Sequence, residues 1–184
     1  MSSSAVQRRR WTRVEYDRMV EAGGFAPDAR IELLDGEIWE MTPLGSRHAT
    51  AYELVGAALG SAFPSAYVRH QLPFALDDLS EPEPDVVVVA GAIRDYSDGH
   101  PTQAMLVVEV SESSLSYDRG RKLSAYARNG VPEYWILDLT VARLEVYRDP
   151  AGATYQSMIA LTGADTVSPM LAPDASIQVA DLLP

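Results

Sequence analysis

The chain has 184 residues, 47% of them hydrophobic, no cysteine and a formal net charge of −11. That is enough apolar material for one well-filled domain, but no run reaches the ~18 apolar residues that span a bilayer, and disulfides and thiolate metal sites are excluded. Arg8, Arg9, Arg10 and Arg13 lie in an acid-free opening segment, so the rest of the chain carries a net charge of −15; for a nucleic-acid partner, either the few arginines are gathered on one face or the partner is not a long duplex.

Residues 1–11 are polar and basic and lack the apolar core of a secretion signal. They read as a disordered tail on a cytoplasmic protein, with a single domain over 12–184. Thr12-Arg13-Val14-Glu15 has capping-box form and predicts a short helix ending at Gly23-Gly24. Residues 31–41 predict a hairpin turning at Asp35-Gly36. Ser46 is the expected cap of a helix running to about Phe63, limited by Pro64. A strand is expected over 67–76, followed by two apolar strands at 85–90 and 105–110. Ser116 is the expected cap of the next helix, which ends near Asn129-Gly130. Residues 132–138 form another expected strand, and 143–148 with 154–161 an antiparallel extension. The tail, 173–184, reads as weakly structured. The fold class is therefore α/β with a mixed sheet.

Three residues carry the chemistry. Asp85 opens the run Pro84–Val89, and Glu109 sits inside Met105–Val110. Acids within doubly covered strands are costly unless paired, and a divalent cation is a natural partner for two of them. If the two runs pair about the intervening loop, 85 faces 109 and both carboxylates share one sheet face. Lys122 is the chain's one lysine; the other fourteen basic residues are arginine. Two readings of it stand: a surface ion pair with Asp118 four residues earlier, or a buried ammonium at the acids. Cations at 119, 121 and 122 would oppose the dipole of their helix unless an anion binds there. Glu32 and Glu37 flank the hairpin turn; strict alternation sends them to opposite faces, and Glu37 is taken as the third-carboxylate candidate. Tyr134 and Trp135 read as core.

These residues and their order resemble a known family. The order helix, strand, strand, strand, helix, strand, with Pro84-Asp85 on one strand and Glu109 on the next, resembles the restriction-endonuclease-like PD-(D/E)XK superfamily. Within it the chain is similar to the Uma-type endonucleases, on Ile31–Glu37, Arg47-His48, Pro84-Asp85, Val108–Ser111 with Ser113, Asp118 with Lys122, and Glu133–Trp135 with Ile136 and Asp138. The resemblance covers about 12–183. It implies an αβββαβ core preceded by a helix and hairpin. It also implies Mg²⁺ or Mn²⁺ held by Asp85, Glu109 and the Val110 backbone carbonyl, with Lys122 as the catalytic lysine and His48, Glu37 and Asp118 in support. The pattern departs at Ser111, where the superfamily carries its lysine; Lys122 would be the migrated replacement. The function implied is metal-dependent hydrolysis of nucleic-acid phosphodiesters; a homodimer using the 143–161 strands is expected separately. The alternative is a nuclease-fold scaffold that is catalytically weak or inactive and acts as a homodimeric interaction module.

Overall fold

The computed structural model describes residues 7–184. The expected tail falls partly outside them, at residues 1–6. Residues 7–11 carry no helix or strand, yet the Trp11 N–H donates to the Gly36 carbonyl at 2.9 Å.

Helix α1 (Arg13–Glu21) starts on the expected capping box, Thr12 with Glu15. Strands β1 (Ile31–Leu34) and β2 (Glu37–Glu40) form the hairpin. Asp35 and Gly36 have φ of 54° and 75°, the two positive values a two-residue type I′ turn requires. Helix α2 (Ser46–Ala62) leads into β3 (Tyr67–His70), β4 (Val86–Val89) and β5 (Leu106–Ser111). One turn, α3 (Leu115–Tyr117), runs through a π-helical turn, Asp118–Lys122, into α4 (Leu123–Arg128). Strands β6 (Glu133–Asp138), β7 (Arg143–Ala151) and β8 (Thr154–Thr162) follow, then the short β9 (Thr166–Val167) and β10 (Ile177–Gln178).

Strands β3 to β8 form one sheet in sequence order, with β5 and β6 parallel and the other pairs antiparallel. The parallel step needs a crossover, which α3 and α4 supply. Both faces are covered, which is why β4 is an unbroken valine run. Val86 and Val88 pack with α2 and the C-terminal segment, while Val87 and Val89 pack on the α4 side with Leu34 of the hairpin. The β4–β5 register is the symmetric one: Val86 faces Val108 and Val88 faces Leu106. Asp85 and Glu109 continue that ladder on the α4 face.

Several expectations change. The 67–76 strand stops at His70 because Gln71 takes φ 47°. The N-cap of α2 is Gly45, not Ser46, and has no side-chain cap bond. Ser116 lies inside α3, whose N-cap is Ser114; the Ser114 hydroxyl donates instead to Asp118. The tail is better ordered than expected, since Ile177, Val179 and Leu182 bury themselves in the α2-side core.

Candidate active site

A cavity of about 80 Å³ lies between the loop 41–45, the start of α2, the end of β5 and the π-helical turn. His48, Asp85, Glu109, Val110, Asp118 and Lys122 all line it. The Asp85 carboxylate accepts from the Val110 N–H at 2.8 Å and from the Gln71 side-chain amide at 2.9 Å. Its backbone N–H lies 3.4 Å from Glu109 Oε2. The other Glu109 oxygen accepts from Lys122 Nζ at 2.9 Å and from the Tyr126 hydroxyl at 2.8 Å. Lys122 is 1% exposed, and its second ion pair, at 3.2 Å, is with Glu32. The surface-pair reading is therefore set aside. Asp118 spends one oxygen on the hydroxyls of Ser111 and Ser114, both at 2.6 Å. The π-helical turn sits under this contact; such insertions recur at functional sites.

His48 reaches in from α2. Its Nε2 lies 2.8 Å from the Val110 carbonyl and 3.3 Å from Asp85 Oδ2. Burial works against its charged form, but Asp85 and the Val110 carbonyl outweigh that and raise its pKa. Burial likewise pushes Asp85 up, and is overcome by His48, Gln71 and the Val110 amide, leaving Asp85 below its ordinary value. Burial drives the Glu109 carboxyl well above the usual carboxylate range; Lys122 pulls it back, while Asp85, Asp118 and Glu32 add to the push. The lysine is held well above its usual value, because Glu109 and Glu32 overcome its own burial.

Sequence reasoning placed Asp85, Glu109, Lys122, His48 and Asp118 together, and all line the cavity. Glu37 does not. It faces outward, where it bridges Arg8 at 2.6 Å and Arg121 at 2.7 Å. The alternation argument fails because a two-residue turn lies between the strands. Glu32 pairs with Trp39 and Leu34 with Glu37, so 32 and 37 share one face, and Glu32 stands nearer the site. Three residues were missed. Tyr126 follows Lys122 by one helical step of four, a spacing that could have found it. Glu32 was recoverable from the hairpin register. Gln71 carries no signal, because its approach depends on a strand ending early.

Arginines gather on the hairpin rather than around Asp85. Arg8, Arg9 and Trp11 share a surface depression with Glu37 and Trp39. The Arg121 guanidinium lies 4.6 Å over the Trp39 ring, and Arg128 is bonded to Asp35 at 2.5 Å. Arg119 is committed to Glu145 and Asp138, Arg121 to Glu37, and Lys122 to Glu109 and Glu32, so each of the three cations at this helix start already has a carboxylate partner. The cavity has mixed charge, with Arg30 beside Glu83 and Glu112.

A sequence-family model for Uma2, described as "Putative restriction endonuclease", matches residues 13–180. The chain belongs to the Uma2 family. The crystal structure of a protein described as a putative nuclease belonging to DUF820, from Anabaena variabilis, is similar with a TM-score of 0.67. The two are 16% identical over 89% of this chain and 96% of that one, so the likeness shows a shared fold. The type IIG restriction endonuclease BpuSI aligns with a TM-score of 0.40 and 18% identity, over 65% of this chain and 14% of its own. No curated protein matches. In this Uma2 chain no helix of the described residues is long and apolar enough to cross a membrane.

The residues present fit a divalent cation of the hard type. Among the described residues no three His, Asp or Glu side chains form a ready-made metal cluster. The groups that could hold a cation here are two carboxylates and the Val110 carbonyl, and oxygen atoms of this kind suit Mg²⁺ or Mn²⁺. Asp85 and Asp118 both add to the push on Glu109, so the site places carboxylates close enough to disfavour one another's charge.

Proposed function

We propose that this chain is a Mg²⁺- or Mn²⁺-dependent endonuclease, with Asp85, Glu109 and the Val110 carbonyl as the metal-holding set. The observation that carries the reading is the convergence of these groups with a wholly buried Lys122 in one cavity. Such a cation, when bound, polarises a phosphate and eases deprotonation of water. The protein's own groups do the rest. Lys122 is aimed at the same space and offers an N–H to a phosphate oxygen as charge develops on it. His48 fixes the Val110 carbonyl and Asp85. The Ser111 and Ser114 hydroxyls hold the Asp118 carboxylate in place. Arg8, Arg121 and Arg128, gathered beside the hairpin, would have to exchange Glu37 and Asp35 for the phosphate backbone of a nucleic acid. We read the nucleic acid as the substrate, without assigning it as DNA or RNA, and the protein as cytoplasmic.

A second reading, the interaction scaffold, draws on one observation. Edge strand β8 contains no charged residue and exposes Met158 and Ile159, so it is suited to pairing with a second copy. A homodimer of this kind is compatible with either function.

The deciding test is thermal unfolding with and without Mg²⁺, read beside cleavage of labelled DNA and RNA. Saturating metal at about 100 times its Kd stabilises the native state by about 2.7 kcal/mol. A raised Tm and cleavage in wild type, both lost in Asp85→Ala/Glu109→Ala, are the expected result. An unmoved wild-type transition removes the metal centre from the reading.

A further inference from the structure

Lys122 has two anionic partners, and the proposed centre uses one of them. Glu109 faces the cavity with one oxygen and Lys122 with the other. Glu32 pairs with the Lys122 charge and is itself held by further hydrogen bonds. Its carboxylate is 1% exposed and accepts from the Tyr117 hydroxyl at 2.9 Å and from the Glu83 N–H at 3.0 Å. Its Oε2 lies 3.2 Å from Lys122 Nζ. The hairpin that carries it is docked independently of the site, through Leu33 on Glu81 and Gly36 on Leu79. Glu32 therefore does not depend on the site for its position.

A buried ammonium with one counter-ion is stranded when that counter-ion is drawn elsewhere, and removing one partner of a buried pair is strongly destabilising. Glu109 is the group a cation would engage. Lys122 sits on a helix rather than on the strand beside the acid, so backbone geometry alone does not tie its amine to the centre. An ammonium has three donors. Among the described residues, one is bonded to Glu109, the charge is also paired with Glu32 at 3.2 Å, and Lys122 lines the cavity. A remaining donor is available to a phosphate oxygen only while the amine stays where it is.

We propose that Glu32 is a positioning residue: it holds the Lys122 amine at the candidate centre from the side away from the cavity, so that the lysine keeps its place when Glu109 engages a cation. This rests on the metal-centre reading, but its first test does not.

Lys122 is the chain's one lysine, so acylation by an amine-specific reagent, followed by peptide mass spectrometry, reports a single side chain with the N-terminal amine as internal reference. The variants are Glu32→Gln, which keeps shape and loses charge, and Tyr117→Phe, which keeps the charge and frees its orientation. In metal-free protein, wild-type Lys122 should be protected. Glu32→Gln should label about tenfold faster, equivalent to ~1.4 kcal/mol, with Tyr117→Phe between them, each rate compared with global unfolding under the same conditions. Adding Mg²⁺ should raise the Glu32→Gln rate further and leave wild type unchanged. In cleavage, the variant should lose kcat with little change in KM. Labelling of folded Glu32→Gln at the wild-type rate, with or without Mg²⁺, overturns the proposal. So does labelling that merely tracks global unfolding, which is what a purely structural Glu32 would give. Selective labelling in a protein that Mg²⁺ does not stabilise would keep the clamp and reject the metal centre instead.

Discussion

At Lys122 the side chain has little room. It is 1% exposed, hydrogen-bonded to Glu109 and paired in charge with Glu32, and its Nζ lies 5.8 Å from the Tyr117 ring centre. A surface ion pair with Asp118 would tolerate Lys122→Arg with almost no effect. The buried arrangement does not. Guanidinium is larger and planar and cannot sit between two carboxylates as a point charge does. Overpacking such a position costs about 1–3 kcal/mol, and a displacement of ~1 Å at a reacting centre costs on the order of 10²-fold in rate. Lys122→Arg is therefore expected to lower the urea midpoint measurably and to cut metal-dependent cleavage about a hundredfold. Wild-type cleavage from this variant would deny Lys122 a specific part in the chemistry while leaving Asp85 and Glu109 untouched.

Elements were legible where a local rule spoke for them. The capping box of α1, the Asp35-Gly36 turn and the β4–β5 register each follow from residues close in sequence, and the register alone brought Asp85 opposite Glu109. What escaped was set by contacts distant in sequence. Gln71 meets Asp85 because a strand breaks at a positive φ, and the Ser114 hydroxyl abandons the cap for Asp118. The two ends of the extension show the same contrast. Strands β7 and β8 each run nine residues, beyond their alternating cores, because each lends the other a ladder. Among the described residues strand β8 pairs on one side alone, and its other edge lacks the lysines, prolines and inward charges that normally blunt such edges. Antiparallel pairing with a second β8 meets no like charges at any register. Sedimentation should give a mass of twice 20.1 kDa. Ile159→Lys, at a position 45% exposed, should leave the monomer folded but weaken the dimer by at least about tenfold, since facing like charges cost several kcal/mol. A wild type that stays monomeric at high concentration would rule this interface out.

For the whole molecule, two buried acids with opposite shifts set the pH range of stability. Asp85 is depressed, so its contribution is present above the unfolded value of about 3.9 and is lost as pH falls through its lower folded value. Glu81, packed under the β1–β2 hairpin, behaves in the reverse sense. Burial, with Asp17 and Glu83 adding to it and Arg13 opposing, pushes it up to about 7. Its Oε2 has no hydrogen-bond partner among the described residues, and Arg13 stays 3.7 Å away. A raised carboxyl contributes its full stability below the unfolded value of about 4.3, then loses it as pH rises through the folded value. Both terms favour the native state together only in mildly acidic solution, and relief of self-repulsion among the 26 acids acts in the same direction. Metal-free protein should thus be more stable near about pH 5.5 than near about pH 8, by roughly 2 kcal/mol from Glu81 alone. Glu81→Gln separates that term from the general charge effect, because it removes the titration and leaves the other acids in place. The variant's urea midpoint should change less with pH than that of wild type, and the two curves should differ most on the alkaline side. If the two curves run parallel across that range, Glu81 is not the group that weakens the fold as the solution turns alkaline, and the loss belongs to the net charge.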